Sequence, residues 1–187
     1  MFPGIKILII LVLFGAGALV FYRWPLPKKE FEELFDKVEP NLSSSLQNFR
    51  KGHPPEELLV DGVAWTYVAL GRAQETILFL HGTTGAYDIW WQQMEALKNK
   101  YRVIAVSYPP VHGLGMLSRG VLEILDHEGI RRANMVGSSL GGYLAQYLTA
   151  AHPERVERAV YGNSFPPNDI IARKNRTLGT LLPYVPE

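Results

Sequence analysis

The chain contains no cysteine among its 187 residues. That absence excludes disulfide bonds, thiolate catalysis and sulfur-ligated metal sites, but it is compatible with any redox compartment. An excess of charge is also missing, because 19 Lys and Arg face 18 Asp and Glu for a formal net charge of +1. Without a basic face there is no electrostatic footprint for nucleic acid, so no such partner is predicted. Internal repeats are absent too, and we predict neither a metal nor a cofactor.

The longest hydrophobic run lies at the amino terminus, where Ile7–Tyr22 reads ILIILVLFGAGALVFY without a charge. A bilayer span needs about 20 apolar residues, and Ile5 with a snorkelling Lys6 extends the run toward that length. A cleaved signal peptide is the alternative, since Ala16–Ala18 resembles a cleavage site. Because the run continues beyond that site, we predict an uncleaved single-pass anchor over residues 1–24 and a location at a membrane.

Residues 25–57 are predicted to join this anchor to a globular domain. Within them, Lys28–Val38 places apolar residues at helical spacing, which is typical of an amphipathic helix. Such a helix would pack on the domain or lie on the membrane surface. The polar stretch that follows is predicted to be a connection, and the domain is expected to occupy residues 58–187.

From Leu58 onward, short apolar strands alternate with amphipathic helices. Two strands flank Asp61-Gly62, which is a hairpin signal. Further strands are predicted, in chain order, over TILFL, RVIAVSY, ANMVG and RAVYGNS, with a helix between successive strands. Continuous apolar strands alternating with helices indicate an α/β fold, in which a mostly parallel sheet carries helices on both faces.

The clearest chemical motif is GSSLG at Gly137–Gly141, where Ser139 stands between two glycines after a buried strand and before a helix. This setting is that of the nucleophile elbow, whose tight turn admits only small flanking residues. The serine then projects at the helix N-terminus, where the helix dipole favours developing negative charge. Ser139 is therefore the predicted nucleophile, and the alternative is a small residue in a tight turn.

A second motif, LHGTTG at Leu80–Gly85, ends an upstream strand. The main-chain N–H groups of Thr83 and Leu140 are predicted to converge on one substrate oxygen and so form an oxyanion hole. The alternative is that His81-Gly82 only turns the chain after the strand. The order of the two motifs along the chain is the one that a fold with an oxyanion loop would have, so it favours that fold over a plain turn.

With these motifs the chain resembles the α/β-hydrolase superfamily from about Leu58 onward, and it looks most like the maspardin branch. The stretches that carry the resemblance are YRVIAVSYP, VLEILDHEGI, GSSLGGYLAQ and GNSF. The superfamily implies hydrolysis of an ester or amide in a small-molecule acyl substrate by a Ser–acid–His triad. The maspardin branch instead implies a binding or adaptor protein with a protein partner. The predicted membrane anchor departs from that branch.

The base of such a triad is a histidine on a late loop, after the serine and the acid. Beyond Ser139 the only histidine is His152. It falls at the predicted end of the helix that starts at the elbow, roughly 20 Å away at a rise of about 1.5 Å per residue, so it is not predicted to be the base. His81 is expected to be structural, and His112 to be an ordinary loop residue.

The candidate acid is Asp169, which follows the strand after the elbow helix. The favoured alternative is that Pro166–Asp169 forms a surface turn. Asp88 is expected to cap the helix that carries Trp90 and Trp91.

The resemblance implies further strands and a cap beyond the present sequence. We therefore expect the amino-terminal part of a longer hydrolase-like protein, with a fold that stops after the strand following the elbow helix. A shortened non-catalytic product is the alternative. The predicted function is that of a membrane-anchored serine hydrolase with an incomplete triad, and the alternative function is that of a non-catalytic binding protein.

Overall fold

A computed structural model of the protein describes residues 3–23, 38–167 and 173. The chain divides into two compact units, residues 1–43 and 44–187. In the first unit, helix α1 runs over Pro3–Tyr22. Among the described residues, no helix has both the length and the apolar character that a membrane crossing requires. The anchor predicted over residues 1–24 stays a prediction. An amphipathic helix was predicted over residues 28–38. Residues 28–37 of it lie outside the described part of the chain.

The stretch predicted as a polar connection is instead a helix, α2, over Pro40–Gly52. The second unit begins within this helix, at Ser44. Phe49 is only 3% exposed and packs with Val68, Phe79 and other buried residues of the sheet. The prediction of a connection was wrong because it followed the polar composition of the stretch, although Leu42, Leu46 and Phe49 stand at helical spacing. Tertiary burial of that ring decides the structure.

The second unit is built on a six-stranded sheet with the order β1-β2-β4-β3-β5-β6. The strands are β1 Glu56–Val60, β2 Val63–Leu70, β3 Thr76–Leu80, β4 Arg102–Ser107, β5 Ala133–Ser138 and β6 Val156–Gly162. Strand β2 is antiparallel to β1 and β4, whereas the remaining neighbours are parallel. The predicted α/β class and the mostly parallel sheet are confirmed.

The predicted hairpin is present between β1 and β2. Asp61 has φ 53° and Gly62 has φ 80°. Positive φ at both central residues is the requirement of a type I′ turn, which matches the twist of paired strands. Asp-Gly is one of the residue pairs that meet this requirement at low cost, which is why the sequence signal was reliable here.

Helices cover both faces of the sheet. They are a 3-10 turn at Tyr87–Trp90, α3 at Trp91–Leu97, α4 at Gly113–His127, α5 at Leu140–Ala151 and a 3-10 turn at Pro153–Arg155. Because side chains alternate along a strand, Ile104 and Val106 of β4 pack on the α4–α5 side, while Val103 and Ala105 join the cluster with Phe49. These four β4 side chains are fully buried. The sheet therefore has one apolar core on each face.

The parallel strands β3, β4 and β5 end at one edge of the sheet. Leu80 at the end of β3 lies opposite Gly137 on β5. The two chemical motifs follow these neighbouring strands, so the topology brings them together. The carboxyl edge is where open parallel sheets bind ligands.

Candidate active site

Ser139 has an unusual backbone conformation, with φ 53° and ψ −117°. It sits between the last residue of β5 and the first residue of α5, and its side chain makes no capping hydrogen bond to the helix. A positive φ is rare for residues other than glycine, and it persists only where the surroundings hold it. The predicted strand–turn–helix geometry is therefore present, with the serine at the point of the turn.

The glycines on either side of Ser139 are required by close backbone contacts. A Cβ atom on Gly137 would lie 2.2 Å from the carbonyl oxygen of Gly141. A Cβ atom on Gly141 would lie 2.1 Å from the carbonyl oxygen of Leu80. Any side chain at either position would force backbone apart, so the motif's small residues are a packing requirement of the turn.

The loop after β3 lies directly against the serine. A Cβ atom on Gly82 would be 3.3 Å from Cβ and 3.8 Å from Oγ of Ser139. The N–H of Gly85 donates to the carbonyl oxygen of Gly82 at 3.1 Å and closes a turn that contains Thr83. Leu140 follows the serine as the first residue of α5. The structure thus gathers Ser139, Leu140 and the loop that carries Thr83 at one edge of the sheet.

His81 is buried beneath this loop, with 2% of its surface exposed. Its Nδ1–H donates to the carbonyl oxygen of Gly82 at 2.5 Å, and its Nε2 accepts the N–H of Tyr108 at 3.3 Å. The His81 and Tyr108 rings lie 4.0 Å apart. Burial lowers the pKa of His81 below its ordinary value. With both nitrogens occupied by backbone groups, this neutral imidazole is a support for the loop and not a general base.

His152 and His127 lie at the opposite edge of the sheet from the serine. His152 caps the C-terminus of α5, whose N-terminus carries Ser139. His127 ends α4. Both helices start at the carboxyl edge of the sheet and run back toward the amino ends of β5 and β6, so their last residues point away from the site. The expectation that His152 is not the base is consistent with this placement.

The remaining two histidines are engaged elsewhere. His53 Nε2 lies 2.9 Å from the carboxylate of Glu95. His112 lines a cavity of about 530 Å³ on the hairpin side, together with Trp65 and Arg119. All five histidines of the chain lie within the described residues, and none of their hydrogen bonds reaches the Ser139 hydroxyl.

The structure describes one of the two aspartates considered from the sequence, Asp88, and not the other, Asp169. Asp169 lies outside the described residues, so its role stays a prediction. Asp88 does not cap a helix, because Ala86 occupies the cap position and makes no side-chain bond. The Asp88 carboxylate instead accepts a hydrogen bond from Arg50 Nε at 2.7 Å. That partner belongs to α2, the helix that the sequence did not reveal.

Two side chains near the serine were not singled out from the sequence. The Ser164 hydroxyl donates to the carbonyl oxygen of Ser139 at 3.1 Å. Gln146 Nε2 donates to the carbonyl oxygen of Phe165 at 3.0 Å. Neither residue belongs to a catalytic motif. Gln146 lies on α5, the helix that begins at the elbow, and the pairing of β6 with β5 brings Ser164 there. The sequence signal was that both residues lie in stretches that carry the family resemblance, Gln146 at the end of GSSLGGYLAQ and Ser164 in GNSF.

Comparisons with known proteins agree with this geometry. Residues 75–187 match the family model described as alpha/beta hydrolase fold. Maspardin of Danio rerio is 32% identical over 136 residues, which is 68% of this chain and 43% of that protein. The 3-oxoadipate enol-lactonase 2 of Acinetobacter baylyi is 30% identical over 122 residues, which is 60% of this chain and 46% of that protein.

A solved structure of a hydrolase is also similar to this chain. The crystal structure of a hydrolase from Pseudomonas aeruginosa PA01 superposes with a TM-score of 0.60 at 27% identity, covering 69% of this chain and 53% of that one. The chain spans about half or less of the length of the curated relatives it matches. The resemblance predicted from the motifs, including that to maspardin, is confirmed.

Proposed function

The chain belongs to the alpha/beta hydrolase fold family, and on that premise we propose that it is a serine hydrolase cleaving an ester or amide bond of a small-molecule acyl substrate. One observation carries the proposal. Ser139 stands in a strained conformation at the N-terminus of α5, with the backbone of Gly82 beside its hydroxyl. Strain of this kind is maintained at functional sites because it presents a group that an ordinary turn would not.

The proposed reaction is acyl transfer through the serine. Ser139 Oγ attacks the substrate carbonyl carbon, and the N–H groups of Thr83 and Leu140 stabilise the negative oxygen that forms. Expulsion of the alcohol or amine leaves an acyl-serine, which water then hydrolyses. The positive end of the α5 dipole lies at the same point and favours the negative charge.

A serine hydroxyl needs a base to accept its proton. Within the described residues, no hydrogen bond of the five histidines reaches the Ser139 hydroxyl, so the proposal takes the base from a histidine outside this sequence. Asp169 is the proposed acid that would orient such a histidine. The similarity to an enol-lactonase, an enzyme named for an internal ester, favours an ester over an amide.

The second candidate is a non-catalytic binding protein that retains the elbow for packing. The similarity to maspardin and the placement of the five histidines favour it. The close contacts of Gly137 and Gly141 would be required in that case too, because they stabilise the turn independently of chemistry. The two candidates differ in one property, which is the reactivity of the Ser139 hydroxyl.

Location is a separate proposal. We infer that the helix at the amino terminus attaches the protein to a membrane as a single-pass anchor. The support is the uncharged run Ile7–Tyr22 in the sequence and not the fold. After alkaline carbonate extraction of cell membranes, the protein should stay in the pellet and a form lacking residues 1–24 should be soluble. Release of the intact protein by carbonate would contradict the anchor.

A fluorophosphonate probe tests the function. The protein is expressed from its complete reading frame, as the native sequence and as Ser139→Ala, with Ser138→Ala as the matched control because Ser138 is the neighbouring serine on β5. Labelling of the native and Ser138→Ala proteins but not of Ser139→Ala is expected. Absence of labelling in folded native protein overturns the hydrolase and leaves the binding protein.

A further inference from the structure

Both backbone polar groups of Ser139 are bonded to the end of β6. The Ser139 N–H donates to the carbonyl oxygen of Gly162 at 3.1 Å. The Ser139 carbonyl oxygen accepts the Ser164 hydroxyl at 3.1 Å and also accepts the N–H of Tyr143, the ordinary first-turn bond of α5, at 3.0 Å. Among these bonds, only the one from Ser164 comes from a side chain. It can therefore be removed by substitution without changing the main chain.

The carbonyl that Ser164 contacts belongs to the peptide linking Ser139 to Leu140. A trans peptide is planar, so its carbonyl and its N–H point in opposite directions and rotate together. A donor that holds the Ser139 carbonyl therefore also fixes the direction of the Leu140 N–H. The same bond polarises the peptide and makes the N–H a stronger donor.

Ser164 is itself held in place. Its Cβ would be 2.6 Å from a Cβ atom built on Gly142, so the residue packs directly on the α5 backbone. Gln146 Nε2 donates to the Ser164 hydroxyl oxygen at 3.3 Å and to the Phe165 carbonyl at 3.0 Å. Gln146 Nε2 also lies 3.3 Å from the carbonyl oxygen of Gly142. Because a carbonyl oxygen can only accept, the Ser164 hydroxyl directs its proton at Ser139.

We propose that Ser164 is a positioning residue that orients the Leu140 N–H toward the substrate oxygen through the Ser139–Leu140 peptide. The inference rests on the proposed hydrolase function. Ser164 does not touch substrate, so its removal changes the rate of acylation and not the affinity for the acylating molecule. Orientation is a large part of what an oxyanion donor contributes, because the donor acts only where the charge develops.

The test is the kinetics of fluorophosphonate labelling in four proteins from the complete reading frame: native, Ser164→Ala, Ser164→Thr and Tyr161→Phe. Threonine keeps the hydroxyl. Tyr161→Phe removes a hydroxyl of β6, the strand that leads to Ser164, and leaves the main chain of Tyr161 paired with Gly137. That hydroxyl donates to Thr149 on α5 at 2.9 Å. Saturation curves give the maximal labelling rate and the half-saturating concentration separately.

In Ser164→Ala the maximal rate should fall about tenfold, a part of what loss of a whole oxyanion donor costs, with the half-saturating concentration unchanged. Ser164→Thr should recover most of the rate, and Tyr161→Phe should match the native protein. Equal rates in Ser164→Ala and native protein, or equal losses in Ser164→Ala and Tyr161→Phe, overturn the positioning role while the hydrolase stands. No labelling of native protein overturns the proposed function itself.

Discussion

The missing Cβ of Gly141 would lie 2.1 Å from the carbonyl oxygen of Leu80. Helix α5 and the end of β3 therefore meet backbone to backbone. The loop after β3 follows directly on Leu80, so this contact sets how close the loop can come to Ser139. A substitution that separates the two main chains would act on the stability of the fold and on the geometry of the site together.

Gly141→Ala should destabilise the protein, although the same change in an exposed helix stabilises by about 0.5–1 kcal/mol. The added methyl group has no room at Leu80, and overpacking of this kind costs about 1–3 kcal/mol. Urea unfolding gives the free energy of unfolding. Gly52→Ala is the matched control, because Gly52 lies in α2 with no atom near its missing Cβ and should gain stability. A stabilised Gly141→Ala protein would refute the contact.

Helix α2 supplies the second prediction. Phe49 is buried against the sheet, so Phe49→Ala should lower the free energy of unfolding by about 3–5 kcal/mol. Leu42→Ala on the same helix is the control, because Leu42 is 43% exposed and its truncation should have little effect. Equal, small effects of the two substitutions in urea unfolding would show that α2 is not packed on the sheet.

Local patterns predicted the elements whose signals are local. The Asp61-Gly62 hairpin, the strands and the turn at Ser139 each depend on residues within a few positions, and the structure has all of them. The misses depend on partners distant in sequence. Arg50 holds Asp88 across 38 positions, and Ser164 reaches Ser139 across 25. Such contacts exist only after the sheet has formed, so periodicity and motifs could not reveal them.

Because His81 is buried, the stability of the protein should depend on pH. Its pKa is lowered from the ordinary value of 6.5, so the unfolded chain binds a proton before the folded protein does. Stability should therefore fall as the pH drops below about 6.5, by at most about 1.4 kcal/mol per pH unit from this one group, and level off below the folded pKa. An NMR titration of the His81 ring, assigned by its loss in His81→Asn, should have a midpoint below 6.5. A midpoint above 6.5 would contradict the buried neutral ring.

The central claim is that Ser139 is a nucleophile, and the acyl-serine intermediate tests it most directly. The protein from its complete reading frame is mixed with p-nitrophenyl acetate, quenched in acid and digested, and the peptides are measured by mass spectrometry. The account predicts a burst of p-nitrophenol and an acetyl group on Ser139, both absent in Ser139→Ala. A folded protein that gives no burst and carries no acetyl group on Ser139 would contradict it.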